Sequence, residues 1–218
     1  MASAIIHIAV AKTLEKDLNI ENKKDYYLGS IAPDISKQIG ENKRNSHFLH
    51  NSLDDIPNIE LFIEKYPNFR NNSFELGYFI HLYTDKIWFE EFLSQIIAGN
   101  YLKLLDGTVI STTPEEMQNI IYQDYTNLNI QLIDEYKMDL SLFYEDFTPP
   151  KTTITEIPTN KLNLLIDKMG IIIENSKEEK PYTFDTYKVL EFIDYSSQKI
   201  LNIIKRDYLL VTSFLSGI

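Results

Sequence analysis

The 218-residue chain contains no cysteine, which removes disulfides, thiolate zinc fingers, iron–sulfur clusters and cysteine nucleophiles together. Any metal must then be held by His, Asp or Glu. Long apolar runs are missing as well: no stretch reaches the roughly 18 uninterrupted apolar residues of a membrane span. The N-terminal segment has no basic region ahead of its apolar stretch, His7 interrupts that stretch, and no small-residue cleavage pattern precedes Lys12. It does not read as a secretory signal, so a cytoplasmic protein is expected. Basic residues are outnumbered 21 to 32, for a formal charge of −11. Such a balance disfavours a phosphate-backbone partner, whose affinity comes mostly from lysine and arginine. Small phosphate esters stay open, because a bound divalent cation reverses the local field.

Glycine (7) and proline (8) are scarce too, and the apolar residues recur at helical rather than strand spacing. With 44% apolar and 12% aromatic residues the chain can build a sizeable core, and its length fits a single domain over 1–218. The expected fold is all-α: a bundle of six or seven helices with a short β-hairpin near residues 101–112. Residues 3–18 carry an apolar stripe of Ile6, Val10, Leu14 and Leu18, with His7 beside it. A short helix over 23–31 stops at Pro33 and leaves Asp34 just past its end. A polar stretch follows over 36–58, holding His47, His50 and the dipeptide Asp54-Asp55.

A modest helix over 58–66 precedes a long one over 73–97. The latter is apolar on nearly every side and is expected to be packed all round. Asn72 and Glu75 form a candidate capping box at its start. Asp106-Gly107 marks the hairpin. Thr113, Pro114 and Glu116 open a helix running to about 136. A short helical stretch over 140–144, a loop over 148–158, and helices over 160–175 and 185–208 complete the chain.

All four histidines fall within the first 81 residues. His81 and Asp85 are four apart on the central helix, a spacing that stacks two side chains on one face and lets both hold one ion. It is equally the spacing of a hydrogen-bonded polar pair. Gly77, one turn earlier, leaves room for a neighbouring helix or a metal. Asp34 has the alternative role of capping a short helix, and His47 that of a solvated loop residue. Together, however, Asp34, His47, His81 and Asp85 supply two imidazoles and two carboxylates, a donor set suited to zinc and tolerable to manganese or iron. His7 can add a ligand to the same ion or a second one; His50 has the least support. Tyr78, Tyr83 and Trp88 read either as a cleft lining or as core. Lys37, Lys43 and Arg44 lie near His47 in sequence and read either as phosphate contacts or as solvated charges.

The blocks Tyr27-Leu28-Gly29-Ser30-Ile31-Ala32-Pro33-Asp34, Ser46-His47-Phe48 and Gly77-Tyr78-Phe79-Ile80-His81-Leu82-Tyr83-Thr84-Asp85-Lys86-Ile87-Trp88, with His7 near the start, resemble the bacterial zinc-dependent phospholipase C family. The resemblance implies an all-helical fold with a metal cluster hydrolysing phosphodiester bonds through an activated water. Carried over position by position, Asp34, His47, His81 and Asp85 match the ligands of one zinc. His7 matches a ligand of a second, Asp85 the bridging carboxylate, and Asp34 also a candidate general base. The family's third site needs two further histidines downstream, and no histidine follows His81. The expectation is therefore a metal-dependent hydrolase with one or two ions, acting on a small phosphate ester or lipid headgroup. Its alternative is an inactive metal-binding or partner-binding protein on the same scaffold. An HD-type phosphohydrolase is set aside, since no histidine is followed by aspartate.

Overall fold

The structure, a computed structural model, describes residues 1–218 except 52–55, 145, 177–180 and 216–218, and gives only the backbone for 207–215. The Asp54-Asp55 dipeptide lies outside the described residues. Among these, the chain forms eight α-helices and a small three-stranded antiparallel sheet, the all-α fold with a hairpin that the periodicity predicts.

Helix α1 (Ala4–Glu15) begins where the Ser3 hydroxyl accepts the Ile6 N–H, satisfying one of the donors a helix start leaves open. It ends one turn before the predicted 18: Asp17 and Asn19 would place an acidic and a helix-poor side chain at the negative end of the dipole. Helix α2 (Lys23–Gly29) is followed by a 3₁₀ turn over Ala32–Asp34 and the one-turn helix α3 (Ile35–Gln38). Asp34 occupies the N-cap position of α3, yet its side chain makes no capping bond. Helix α4 (Ile59–Lys65) leads to α5 (Ser73–Ile87), in which only Ser73, Tyr83 and Lys86 are not buried. The central position expected for this helix is therefore observed.

The predicted extent of α5 to residue 97 is corrected. It gives way to a π turn over Trp88–Phe92, a 3₁₀ turn and strand β1 (Ile97–Ala98). Gly99-Asn100 then forms a two-residue loop to β2 (Tyr101–Lys103), with Ala98 paired to Tyr101 and Gly99 at a φ of 59°. A glycine-first dipeptide of this kind matches the twist of flanking strands. Strand β3 (Val109–Ser111) pairs with β2 across the Asp106-Gly107 turn.

Helix α6 (Pro114–Glu135) opens with the complete Thr113/Glu116 capping box. At α5 the box is only half made: Asn72 accepts the Phe74 and Glu75 N–H groups, whereas Glu75 accepts from Thr152 Oγ1, Thr153 N and Thr153 Oγ1 at 2.7–2.9 Å. The carboxylate is spent on clamping the 148–158 loop. Helices α7 (Leu162–Glu174) and α8 (Thr186–Leu215) complete the bundle, α8 outrunning its predicted end because no glycine or proline intervenes before Gly217. Among the described residues no helix is long and apolar enough to cross a membrane.

Two aromatic groups flank the middle of α5. Phe48, Phe62, Tyr66, Phe69, Tyr78 and Phe79 pack on one side, and Trp88, Phe92, Tyr125, Phe184 and Phe192 gather beyond its C-terminus. Tyr78 and Trp88 are thus core residues rather than a cleft lining, and Tyr83 packs against the core. Between the two groups, α5 presents His81 and Asp85.

Candidate metal centre

Four segments converge on this part of α5. α1 brings His7, the turn after α2 brings Asp34, the turn over residues 43–48 brings His47, and α5 itself brings His81 and Asp85. The side chains of His7, His81 and Asp85 are fully buried and that of His47 is 2% exposed; Asp34 alone keeps 15%. The rings of His7 and His81 stack with centroids 3.8 Å apart. His81 Nε2 lies 3.3 Å from His47 Nε2 and 3.6 Å from Asp85 Oδ2. His47 Nε2 lies 3.8 Å from Asp85 Oδ2 and 3.5 Å from Asp34 Oδ1. His7 Nε2 lies 3.3 Å from Asp85 Oδ1, which also accepts the Ala2 N–H at 2.8 Å.

The close approach of α2 to α5 creates part of this geometry. A Cβ on Gly29 would lie 2.1 Å from the Phe74 carbonyl oxygen, and one on Gly77 would lie 2.1 Å from that of Tyr26. Only hydrogen fits at either position. The space that Gly77 leaves is filled by a neighbouring helix, and this brings the Ser30 carbonyl to 2.8 Å from His81 Nδ1. A carbonyl can only accept, so Nδ1 of His81 carries the hydrogen. Burial, reinforced by the neighbouring His7 ring, lowers the His81 pKa from 6.5 to about 3 despite Asp34 and Asp85, so the ring is neutral near pH 7 and its Nε2 presents a lone pair.

The carboxylates are ionised. Burial would raise Asp34, but the His47, His81 and His7 rings gathered around it hold it below the usual range. Asp85 is likewise pushed up by burial and drawn well below by His7, the amino terminus and His81. Two negative charges and a lone pair therefore face one another out of water. Both His7 ring nitrogens, Asp34 Oδ1 and Asp85 Oδ2 are buried without a hydrogen bond. Buried polar atoms are rarely left in this state, because each unmade bond costs about 1–3 kcal/mol. A divalent cation would satisfy one His7 nitrogen together with Asp34 Oδ1 and Asp85 Oδ2. Donors about 2.0–2.2 Å from a tetrahedral ion are about 3.3–3.6 Å from one another, close to the separations found here. Two triplets, His7/Asp34/His81 and His47/His81/Asp85, each bring one donor atom per residue within 4.8 Å of the others. His81 belongs to both.

His50 stands apart: it is exposed, with its Nε2 3.2 Å from Asn58 Nδ2. Lys37 bonds the Tyr122 hydroxyl and Arg44 donates to the His50 carbonyl. Sequence reading gave no role to the Ser30 carbonyl, Ser36, or the Tyr78 hydroxyl that donates to the Ser46 carbonyl. Backbone partners leave no mark in side-chain identity; Ser46, directly before His47, is the one that adjacency could have marked.

Residues 4–89 match the family described as zinc dependent phospholipase C. The match covers 86 of the 218 residues and spans all five converging residues. Comparison with curated proteins and with solved structures gives no match. Family and donor cluster together support a metal-dependent hydrolase.

Proposed function

We propose that the protein is a zinc-dependent hydrolase of phosphate esters or phosphodiesters, with a small phosphate ester or lipid headgroup as substrate. In this reading His7, Asp34, His47, His81 and Asp85 hold one or two zinc ions, and Asp34 is also the catalytic base. The observation that carries it is the convergence of two ionised carboxylates, whose oxygens Asp34 Oδ1 and Asp85 Oδ2 are buried and unbonded, on the His81 Nε2 lone pair. Manganese and iron suit the same donors. When bound, a divalent ion supplies Lewis acidity, lowering the pKa of water and neutralising charge on phosphate oxygens. The protein's own part is to hold the His81 ring through Ser30, to keep both carboxylates ionised and to exclude bulk water. In this reading Asp34, the one member with an exposed edge, takes a proton from water at the rim.

The burial of the other four side chains favours a second reading, a closed four-donor shell that serves stability alone. Elemental analysis of untagged protein and of His81→Ala comes first. One or two transition-metal ions per chain, lost in the variant, support the metal reading; no retained metal after incubation with zinc, manganese and iron refutes it. Turnover of a generic phosphodiester by the zinc-loaded protein, abolished in a folded Asp34→Asn variant, separates the catalytic from the closed reading.

A further inference from the structure

We infer that Ser46 and Ser36 form a positioning pair for His47, aiming its Nε2 lone pair into the cluster and tying it to the segment that carries Asp34. The inference rests on the metal reading above. Ser46 is 1% exposed and Ser36 4%, so neither hydroxyl is spent on solvent. Ser46 Oγ lies 2.9 Å from His47 Nδ1, 3.1 Å from Ser36 Oγ and 3.2 Å from the Lys43 carbonyl oxygen. Ser36 Oγ lies 3.3 Å from the Pro33 carbonyl oxygen.

Each hydroxyl has one hydrogen, and the two carbonyls only accept. If Ser46 gives its hydrogen to Nδ1, the ring hydrogen of His47 sits on Nε2, 3.3 Å from His81 Nε2, and no lone pair is left there for an ion. If Nδ1–H donates to Ser46, the Ser46 hydrogen is free for Lys43 or Ser36 and the Ser36 hydrogen for Pro33. The second arrangement is the one a metal-bound His47 requires, and it keeps both hydroxyl hydrogens on acceptors. It leaves the lone pair on Nε2, the atom facing His81, Asp34 and Asp85. The Tyr78 hydroxyl, bonded to the Ser46 carbonyl, anchors the same turn to α5. His81 meets the same requirement through the Ser30 carbonyl, whereas His7 has no partner at Nδ1. Outer partners of ligating histidines of this kind are worth about 10- to 100-fold in metal affinity.

The test measures zinc affinity by competition with a chromogenic chelator, with folding checked by circular dichroism. Ser46→Ala is expected to weaken zinc binding at least tenfold and Ser46→Thr to restore most of it. Ser36→Ala is expected to weaken it less, and the double alanine variant to be no worse than Ser46→Ala. In the zinc-loaded wild type, nitrogen-15 NMR is expected to show a slowly exchanging His47 Nδ1–H that exchanges faster in Ser46→Ala. Should Ser46→Ala fold poorly, Ser36→Ala and the NMR signal carry the test: unchanged affinity in Ser36→Ala with a rapidly exchanging wild-type proton overturns the inference. Wild-type affinity in folded Ser46→Ala overturns it while leaving the metal reading intact. A wild type that binds no zinc overturns both.

Discussion

The Ser30 carbonyl and His81 Nδ1 meet at 2.8 Å because Gly29 and Gly77 let the backbones of α2 and α5 touch. Helix packing and the orientation of a candidate ligand are set by one contact. Alanine in an exposed helix interior gains about 1 kcal/mol over glycine; at residue 77 the sign reverses. Gly77→Ala is expected to cost about 1–3 kcal/mol in urea unfolding and to weaken zinc binding by moving Ser30 away from His81. A variant more stable than wild type would refute the close approach.

An ion bound by the folded chain alone stabilises it by mass action. At one hundred times its dissociation constant, zinc is expected to add about 2.7 kcal/mol, raising the melting temperature, and excess chelator to return it to the metal-free value. His81→Ala should show no such rise. An equal rise in the variant would mean the zinc sits elsewhere.

Asp124, fully buried on α6, accepts from Tyr182 N, Thr183 N, Thr183 Oγ1 and Phe184 N at 2.6–2.9 Å, fixing the entry to α8. Asp124→Ala leaves several buried donors without an acceptor, a loss of about 3 kcal/mol or more. Urea titration checks the size of the loss, and metal content in the folded variant should equal that of wild type.

Glu15 provides the pH prediction. Burial would raise its carboxyl, but hydrogen bonds from Lys23, Tyr27 and Lys12 overcome this and lower it from 4.5 to about 2. The folded-state value lies below the unfolded one, so the stabilisation is complete above pH 4.5 and fades as the pH falls towards 2. Glu15→Gln should therefore be less stable than wild type at pH 6, with the gap narrowing at pH 3. A gap of constant size would show that the charge contributes nothing.

The helices with strong starts were legible because their signals are local: Asn72 and the Thr113/Glu116 box each act within one turn. Glu75 shows the limit, since its spacing fits a capping box while its partners are Thr152 and Thr153, more than seventy residues away. The end of α5 was missed because apolar spacing continues past Ile87 while the backbone changes to a π turn over Trp88–Phe92. At the centre, the residue types and order of His7, Asp34, His47, His81 and Asp85 were legible, as were Gly77 and the need for close approach. The serine and backbone partners were not, because they depend on which helices cross and where.

The convergence of residues 7, 34, 47, 81 and 85 has a consequence for the unfolded chain. In a protein without cysteine, an ion held at that point joins segments up to 78 positions apart, and a chain so tied has fewer conformations to recover when it opens. Loop-closure entropy grows with the logarithm of the span, so the joins to His7 would contribute most. The centre would then act as a releasable cross-link for the first ninety residues, present or absent according to the metal supply rather than the redox state of its surroundings.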